Sequence, residues 1–168
     1  MIPGVWAGAG PGSIIYLAAL KAVPEEMYEA AEKHFPGTDI AIMAAAVADF
    51  TPEEVLDRKL KRGKDDFVLR LKPTRDIAAT LGKKKKTGQF LVGFALESDS
   101  ELKNARDKLT RKNLDFIVLN SLNDDQAGFG FDTNKITILD KSGNQKEYPL
   151  KSKSEVAEDI LSYLQEQI

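Results

Sequence analysis

"DIAIMAAAVA", residues 39–48, is a continuous apolar run bounded by Gly37 and Asp49. Its length and flanks predict a strand buried on both faces; a short helix is the alternative that periodicity leaves open. "QFLVGFAL" (89–96) and "LDFIVLN" (114–120) read as buried strands of the same kind. Helical patterns alternate with them. "PEEMYEAAEKHF" (24–35) starts with proline and glutamates, as a helix N-terminus should, and spaces Met27, Ala30, Ala31 and Phe35 along one face. "DIAATLGKKKK" (76–86) predicts a short helix with a basic end. "SDSELKNARDKLTRKN" (98–113) opens with capping residues and puts Leu102, Ala105 and Leu109 on one face. "SKSEVAEDILSYLQEQ" (152–167) is a capped terminal helix. Strand, helix, strand, helix, strand with buried strands predicts an α/β fold with a doubly wound, mainly parallel sheet. Two segments, "DFVLRLK" (66–72) and "KITILD" (135–140), alternate apolar and polar residues and do not fit that core. They are expected to pair as an antiparallel β-ribbon projecting from it.

The 168 residues suggest one domain, and no linker or internal repeat divides them. At 42% hydrophobic and 30% charged residues, the composition is that of a globular chain. A net charge of −2 does not advertise a nucleic-acid partner. With no cysteine there is no disulfide, thiolate ligand or cysteine nucleophile. His34 is the only histidine, which rules out a multi-histidine metal site or a histidine triad; near a helix end it reads as exposed and structural. No apolar run reaches the ~18 residues of a membrane span. No charged n-region precedes the first apolar stretch, so no signal peptide and a cytoplasmic location are expected.

Ligands of such sheets bind outside the carboxyl ends of the strands. Those ends read "AAAVAD", "GFALES" and "NSLND". Alanine and glycine let a ring or phosphate approach the backbone, and Asp49 offers an acceptor for a sugar or base amine. A helix packed closely on the sheet selects small residues equally well, and the two readings weigh about evenly. "DRKLKR" (57–62) holds Arg58, Lys59, Lys61 and Arg62, either as phosphate ligands or as a solvated loop. "KKKK" (83–86) fits a solvated helix end better. Lys108 and Lys112 share a helix face at i, i+4. "GAGPGS" (8–13) is not G-x-G-x-x-G and carries little weight.

Taken together, "AAAVADF", "RKLKR", "LKPTRDIAA", "VGFALES", "ARDKLTRKNLDFIVLN" and "GFGFDTNKITILD" resemble, in order and spacing, phosphopantothenoylcysteine synthetase. That family supplies the coenzyme A pathway ligase, in many bacteria the C-terminal half of a bifunctional flavoprotein. The resemblance covers roughly residues 22–167 and leaves residues 1–21 unaligned. It implies a Rossmann-like three-layer domain that activates 4′-phosphopantothenate with CTP and Mg²⁺. An acyl-cytidylate forms, pyrophosphate leaves, and the amine of cysteine displaces CMP. It implies nucleotide contacts at Met43, Ala44, Ala45, Asp49, Arg75, Asp76, Ile77, Ala78 and Phe94. It makes Lys108 and Lys112 triphosphate ligands, and Lys59 the catalytic lysine of a closing loop. No protein metal ligand is implied. A homodimer through 66–72 and 135–140, and association with a phosphopantothenoylcysteine decarboxylase, are expected; nucleic-acid and membrane partners are not.

The family's N-x-S-S-G-type segment, which helps hold the acyl group, has no counterpart among these residues. The 168-residue chain by itself is therefore expected to bind nucleotide weakly and to leave the ligase reaction incomplete. A nucleotide-binding or dimerisation module without ligase activity is the alternative function.

Lys59 yields a direct test. In an active, full-length context, Lys59→Gln should slow cytidylate formation more than tenfold, about 1.4 kcal/mol in the barrier. Pyrophosphate release at an unchanged rate would refute its role.

Overall fold

The computed structural model describes residues 5–7, 14–17, 24–54, 67–121 and 131–168. In chain order the elements are β1 (Val5–Ala7), β2 (Ile14–Leu17), α1 (Pro24–His34), β3 (Ile40–Met43), β4 (Phe50–Pro52) and β5 (Leu71–Pro73). Then come α2 (Ile77–Lys84), β6 (Phe90–Glu97), α3 (Glu101–Arg111), β7 (Phe116–Ser121) and β8 (Thr133–Asn134). The chain ends with β9 (Ile136–Asp140), β10 (Gln145–Glu147), β11 (Lys151–Ser152) and α4 (Lys153–Gln165).

The main sheet runs β1-β2-β3-β6-β7-β9-β10. Its centre, β2, β3, β6 and β7, is parallel. At the flanks β1 joins β2, β9 joins β7 and β10 joins β9, all antiparallel. Strand β3 and the bodies of β6 and β7 are apolar because both faces are covered. Ala41, Leu91, Ile117 and Leu119 pack beneath α1, α2 and α3 with Met27, Leu81 and Leu109. Ile40, Ile42, Val92, Phe116 and Val118 pack against Val156, Ile160 and Leu164 of α4. Helices on both faces make three layers, the Rossmann-like arrangement expected. Ser152 and Glu155 close a capping box at the start of α4. Among the described residues no helix is long and apolar enough to cross a membrane.

Several expectations change. Strands β1 and β2 arise from residues in which the sequence pattern showed no element; "GAGPGS" lies outside the described residues. The strand in 39–48 stops at Met43. The segment 135–140 does not project: β9 is an internal strand between β7 and β10. Ile136 and Ile138 face the α4 core, Leu139 the other, and all three are buried. Alternation arose there because Thr137 is only half-buried between them, not because one face meets water. The two-stranded antiparallel pairs are instead β8 with β11 and β4 with β5, the latter pairing Phe50 with Pro73 and Pro52 with Leu71. Most of 66–72 lies outside that strand, with Phe67, Val68 and Leu69 exposed.

The basic run at 83–86 divides in two. Lys84 pairs with Glu32 on α1 at the surface. Lys85 is nearly buried, donating to Asp115 Oδ2 at 2.8 Å and to the Asn113 carbonyl at 2.8 Å. Asp115, just before β7, also accepts from Lys141 at 2.6 Å and from the Leu91 N–H at 2.7 Å. Burial pushes the Asp115 carboxyl up, but these donors outweigh it and hold the group below its ordinary 3.8. Tertiary packing thus turns a residue read as solvated into a locked ion pair between α2 and the sheet.

Removing one partner of a buried pair strands the other, so Asp115→Ala should cost about 3–5 kcal/mol in urea unfolding. Because the native pKa is depressed, the stability from Asp115 is complete above the unfolded value and is lost as pH falls through the native one. In acid, below 3.8, the wild-type chain should lose stability more steeply than Asp115→Asn. Parallel acid profiles would contradict the pairing.

Candidate active site

The carboxyl ends of the parallel strands share one edge of the sheet. Pairing between β3 and β6 ends at Met43 opposite Gly93, while β6 and β7 continue to Glu97 opposite Ser121. Residues 44–49 therefore leave the sheet before their neighbours do, and their alternation persists outside it. Met43, Ala45 and Val47 pack on the α1–α3 side, and Ala44 on the α4 side together with Phe94. Single methyl groups leave the backbone of this segment accessible at the edge.

Asp49 is exposed, and its carbonyl accepts from the Thr74 N–H at 2.9 Å. The Thr74 hydroxyl donates to the Ala48 carbonyl at 2.7 Å. This junction joins the end of the alanine run to the residues that open α2. Arg75 reaches back to α1, 2.7 Å from Glu25 and stacked 4.4 Å from the Tyr28 ring centre. Asp76 caps α2, accepting from the Ala79 N–H at 3.0 Å. Ile77 is a buried core residue and Ala78 is half-buried, so any ligand contact by this pair is made through the exposed end of the helix rather than the isoleucine side chain.

The lysines of α3 point to different anchors. Lys112 pairs with Asp76 at 2.9 Å. Burial opposes ionisation of Asp76, but the Ala79 N–H and Lys112 together hold its carboxyl below the ordinary range. Lys108 sits 2.5 Å from Glu97 at the end of β6, and Asn104 donates to the other Glu97 oxygen at 3.3 Å. Glu97, Asn104, Asp107, Lys108, Thr110 and Arg111 line an open polar groove along α3.

One glycine fixes this geometry. A Cβ on Gly82 of α2 would lie 1.9 Å from the Lys112 carbonyl oxygen. Asn113, with φ +50°, closes the contact by donating from Nδ2 to the Gly82 carbonyl at 2.8 Å. Only a residue without a side chain lets α2 come this close to the end of α3, and that approach sets Lys112 beside Asp76.

The structure thus joins Asp76 to Lys112, Asp49 to the start of α2 through Thr74, and Ala44 to Phe94 across the sheet from the lysines. Lys59 lies outside the described residues, as do Arg58, Lys61 and Arg62. Sequence reasoning missed Thr74 and Glu97. Glu97 directly follows the expected strand 89–96, but nothing in the sequence marks Lys108 as its partner, and Thr74 carries no mark at all.

Residues 17–168 match the family model described as DNA/pantothenate metabolism flavoprotein C-terminal domain. The chain is 61% identical over 136 residues to a protein named Cysteine/Cysteine sulfinic acid decarboxylase from an unknown prokaryotic organism, covering 81% of this chain and 38% of that protein. It is 48% identical over 136 residues to the Coenzyme A biosynthesis bifunctional protein CoaBC of Bacillus subtilis (strain 168), covering 81% of this chain and 33% of that protein. The chain therefore spans well under half of these relatives. A crystal structure of the C-terminal domain of a CoaBC protein superposes with a TM-score of 0.68 at 34% identity, covering 85% of this chain and 61% of that one.

Proposed function

Because the chain belongs to the DNA/pantothenate metabolism flavoprotein C-terminal domain family, we propose that it is the synthetase part of a phosphopantothenate–cysteine ligase in coenzyme A biosynthesis. The observation that carries this reading is the pair of ammonium groups of Lys108 and Lys112, drawn toward the carboxyl edge of the sheet by Glu97 at the end of β6 and Asp76 at the N-terminus of α2. Two ammonium groups at i, i+4 suit a polyphosphate, and the exposed backbone of 44–48 suits a flat base. In this reading the 4′-phosphopantothenate carboxylate attacks the α-phosphorus of CTP and pyrophosphate leaves. The cysteine amine then attacks the acyl carbon, loses a proton and expels CMP. Lys108, Lys112 and Lys59 stabilise charge on the phosphates, and Asp49 accepts from the sugar or base.

A magnesium ion would arrive with the nucleotide rather than be held by the protein. Among the described residues no three acidic or histidine side chains converge, whereas Mg²⁺ at such sites is held largely by phosphates and water. Bound there, it supplies charge neutralisation at the leaving pyrophosphate.

A second reading rests on the relative named as a decarboxylase, 61% identical over the same region. There the domain would bind nucleotide or assemble subunits beside a decarboxylase without ligating. A homodimer fits both readings. Phe50 and Leu71 on the β4–β5 ribbon, with Phe67, Val68 and Leu69, form an exposed apolar surface, and a lone two-stranded ribbon is marginal in water. The β9 half of the expected interface is withdrawn, because Ile138 is buried inside the main sheet. A cytoplasmic location accords with this pathway.

Binding of CTP and ATP, with and without Mg²⁺, followed by pyrophosphate release with 4′-phosphopantothenate, separates these readings. The assay uses the chain joined to the family's N-x-S-S-G segment. CTP-dependent release that requires the acid is expected; binding without release supports the module, and no nucleotide binding defeats both. For the dimer, Leu69→Asp with Leu71→Asp should yield monomer in sedimentation. A wild-type chain that is already monomeric at micromolar concentration would refute the interface.

A further inference from the structure

Glu97 takes no part in the reading above, yet it holds one of the lysines on which that reading rests. It is the last residue of β6, at the edge where ligands of such sheets bind. Its side chain is 12% exposed against 36% for Lys108. A carboxylate this deeply placed is costly unless it is paired. Both its oxygens are engaged, Oε1 by Lys108 at 2.5 Å and Oε2 by Asn104 at 3.3 Å.

We propose that Glu97 is a built-in counter-ion that occupies Lys108 in place of a phosphate group, and that a polyphosphate binds by exchanging with it. The inference rests on the phosphate-binding reading of Lys108. Asp76 stands in the same relation to Lys112 at the end of α3, so Lys108 and Lys112 are each neutralised by their own carboxylate. A ligand that takes both must span one helical turn and bring several negative charges. The groove is thereby set against single small anions and in favour of chains of phosphates. After exchange Glu97 keeps the Asn104 donor, so it stays in place beside the bound phosphates. Its charge weakens their hold and favours return of the lysine when pyrophosphate departs. Glu97 is in this sense a positioning residue, acting through Lys108.

The sign of the effect separates this role from a structural one, since loss of a scaffold weakens binding and never tightens it. Inorganic tripolyphosphate is titrated by calorimetry into the 168-residue chain, its Glu97→Gln variant and its Lys108→Gln variant. Glu97→Gln should tighten binding by about fivefold or more, the effect of removing one unit charge ~4 Å from another in water. Lys108→Gln should weaken it. Glu97→Ala provides a second removal of the charge should the glutamine variant fold poorly, and it should tighten binding as well. Unchanged or weaker binding in the Glu97 variants, with Lys108→Gln still weakened, overturns the counter-ion role and leaves the proposed function standing. Unchanged binding in Lys108→Gln overturns both.

Discussion

A strand covered by helices on both faces has nowhere along its length to put a charge. Strands β3, β6 and β7 are under this constraint, and the polar chemistry of the chain is displaced to their two ends. The same constraint requires the parallel crossovers, with α2 lying between β3 and β6 and α3 between β6 and β7. It also brings the N-terminus of α2 to the carboxyl edge, where its free N–H groups and Asp76 meet Lys112.

The two ends of the sheet carry different kinds of ion pair. At the amino end, Asp115 is locked between Lys85, Lys141 and the Leu91 N–H, with the acid almost wholly buried. That arrangement fastens α2 and the β9–β10 turn to β7. At the carboxyl end, each lysine has a single carboxylate partner, and one member of each pair reaches solvent. An acid held by three donors at once is fixed more firmly than a pair held by a single ammonium contact. The close approach of Gly82 to the Lys112 carbonyl fixes the end of α3 against α2.

Strands β3, β6 and β7 and helices α1–α4 were legible because their signals are local: continuous apolar runs, helical spacing and caps such as Ser152 with Glu155. What failed depended on distant partners. KITILD was read as a projecting strand because Thr137 breaks the apolar run, yet β7 and α4 make it internal. Lys85 looked like its neighbours in KKKK until Asp115 was brought under it by the fold. Strands β1 and β2 are three and four residues long, too short to show a period, and they are strands through pairing with each other and with β3. Of the site, Asp49, Asp76 and the lysines could be named from ordered motifs. Glu97 could not, since its part depends on which helical residue stands opposite the end of β6.

In the proposed function, nucleotide binds at the carboxyl edge of the parallel strands, between the alanine run, the start of α2 and the ammonium groups of Lys108 and Lys112. Backbone amide shifts followed during a titration with CTP and Mg²⁺ test it most directly. The largest changes are expected at residues 43–49, 75–78 and 94–97 and at Lys108, with Lys85, Asp115 and Lys141 at the far end unmoved. Changes centred on those three residues or on the outer face of α4, with the carboxyl edge silent, would contradict it.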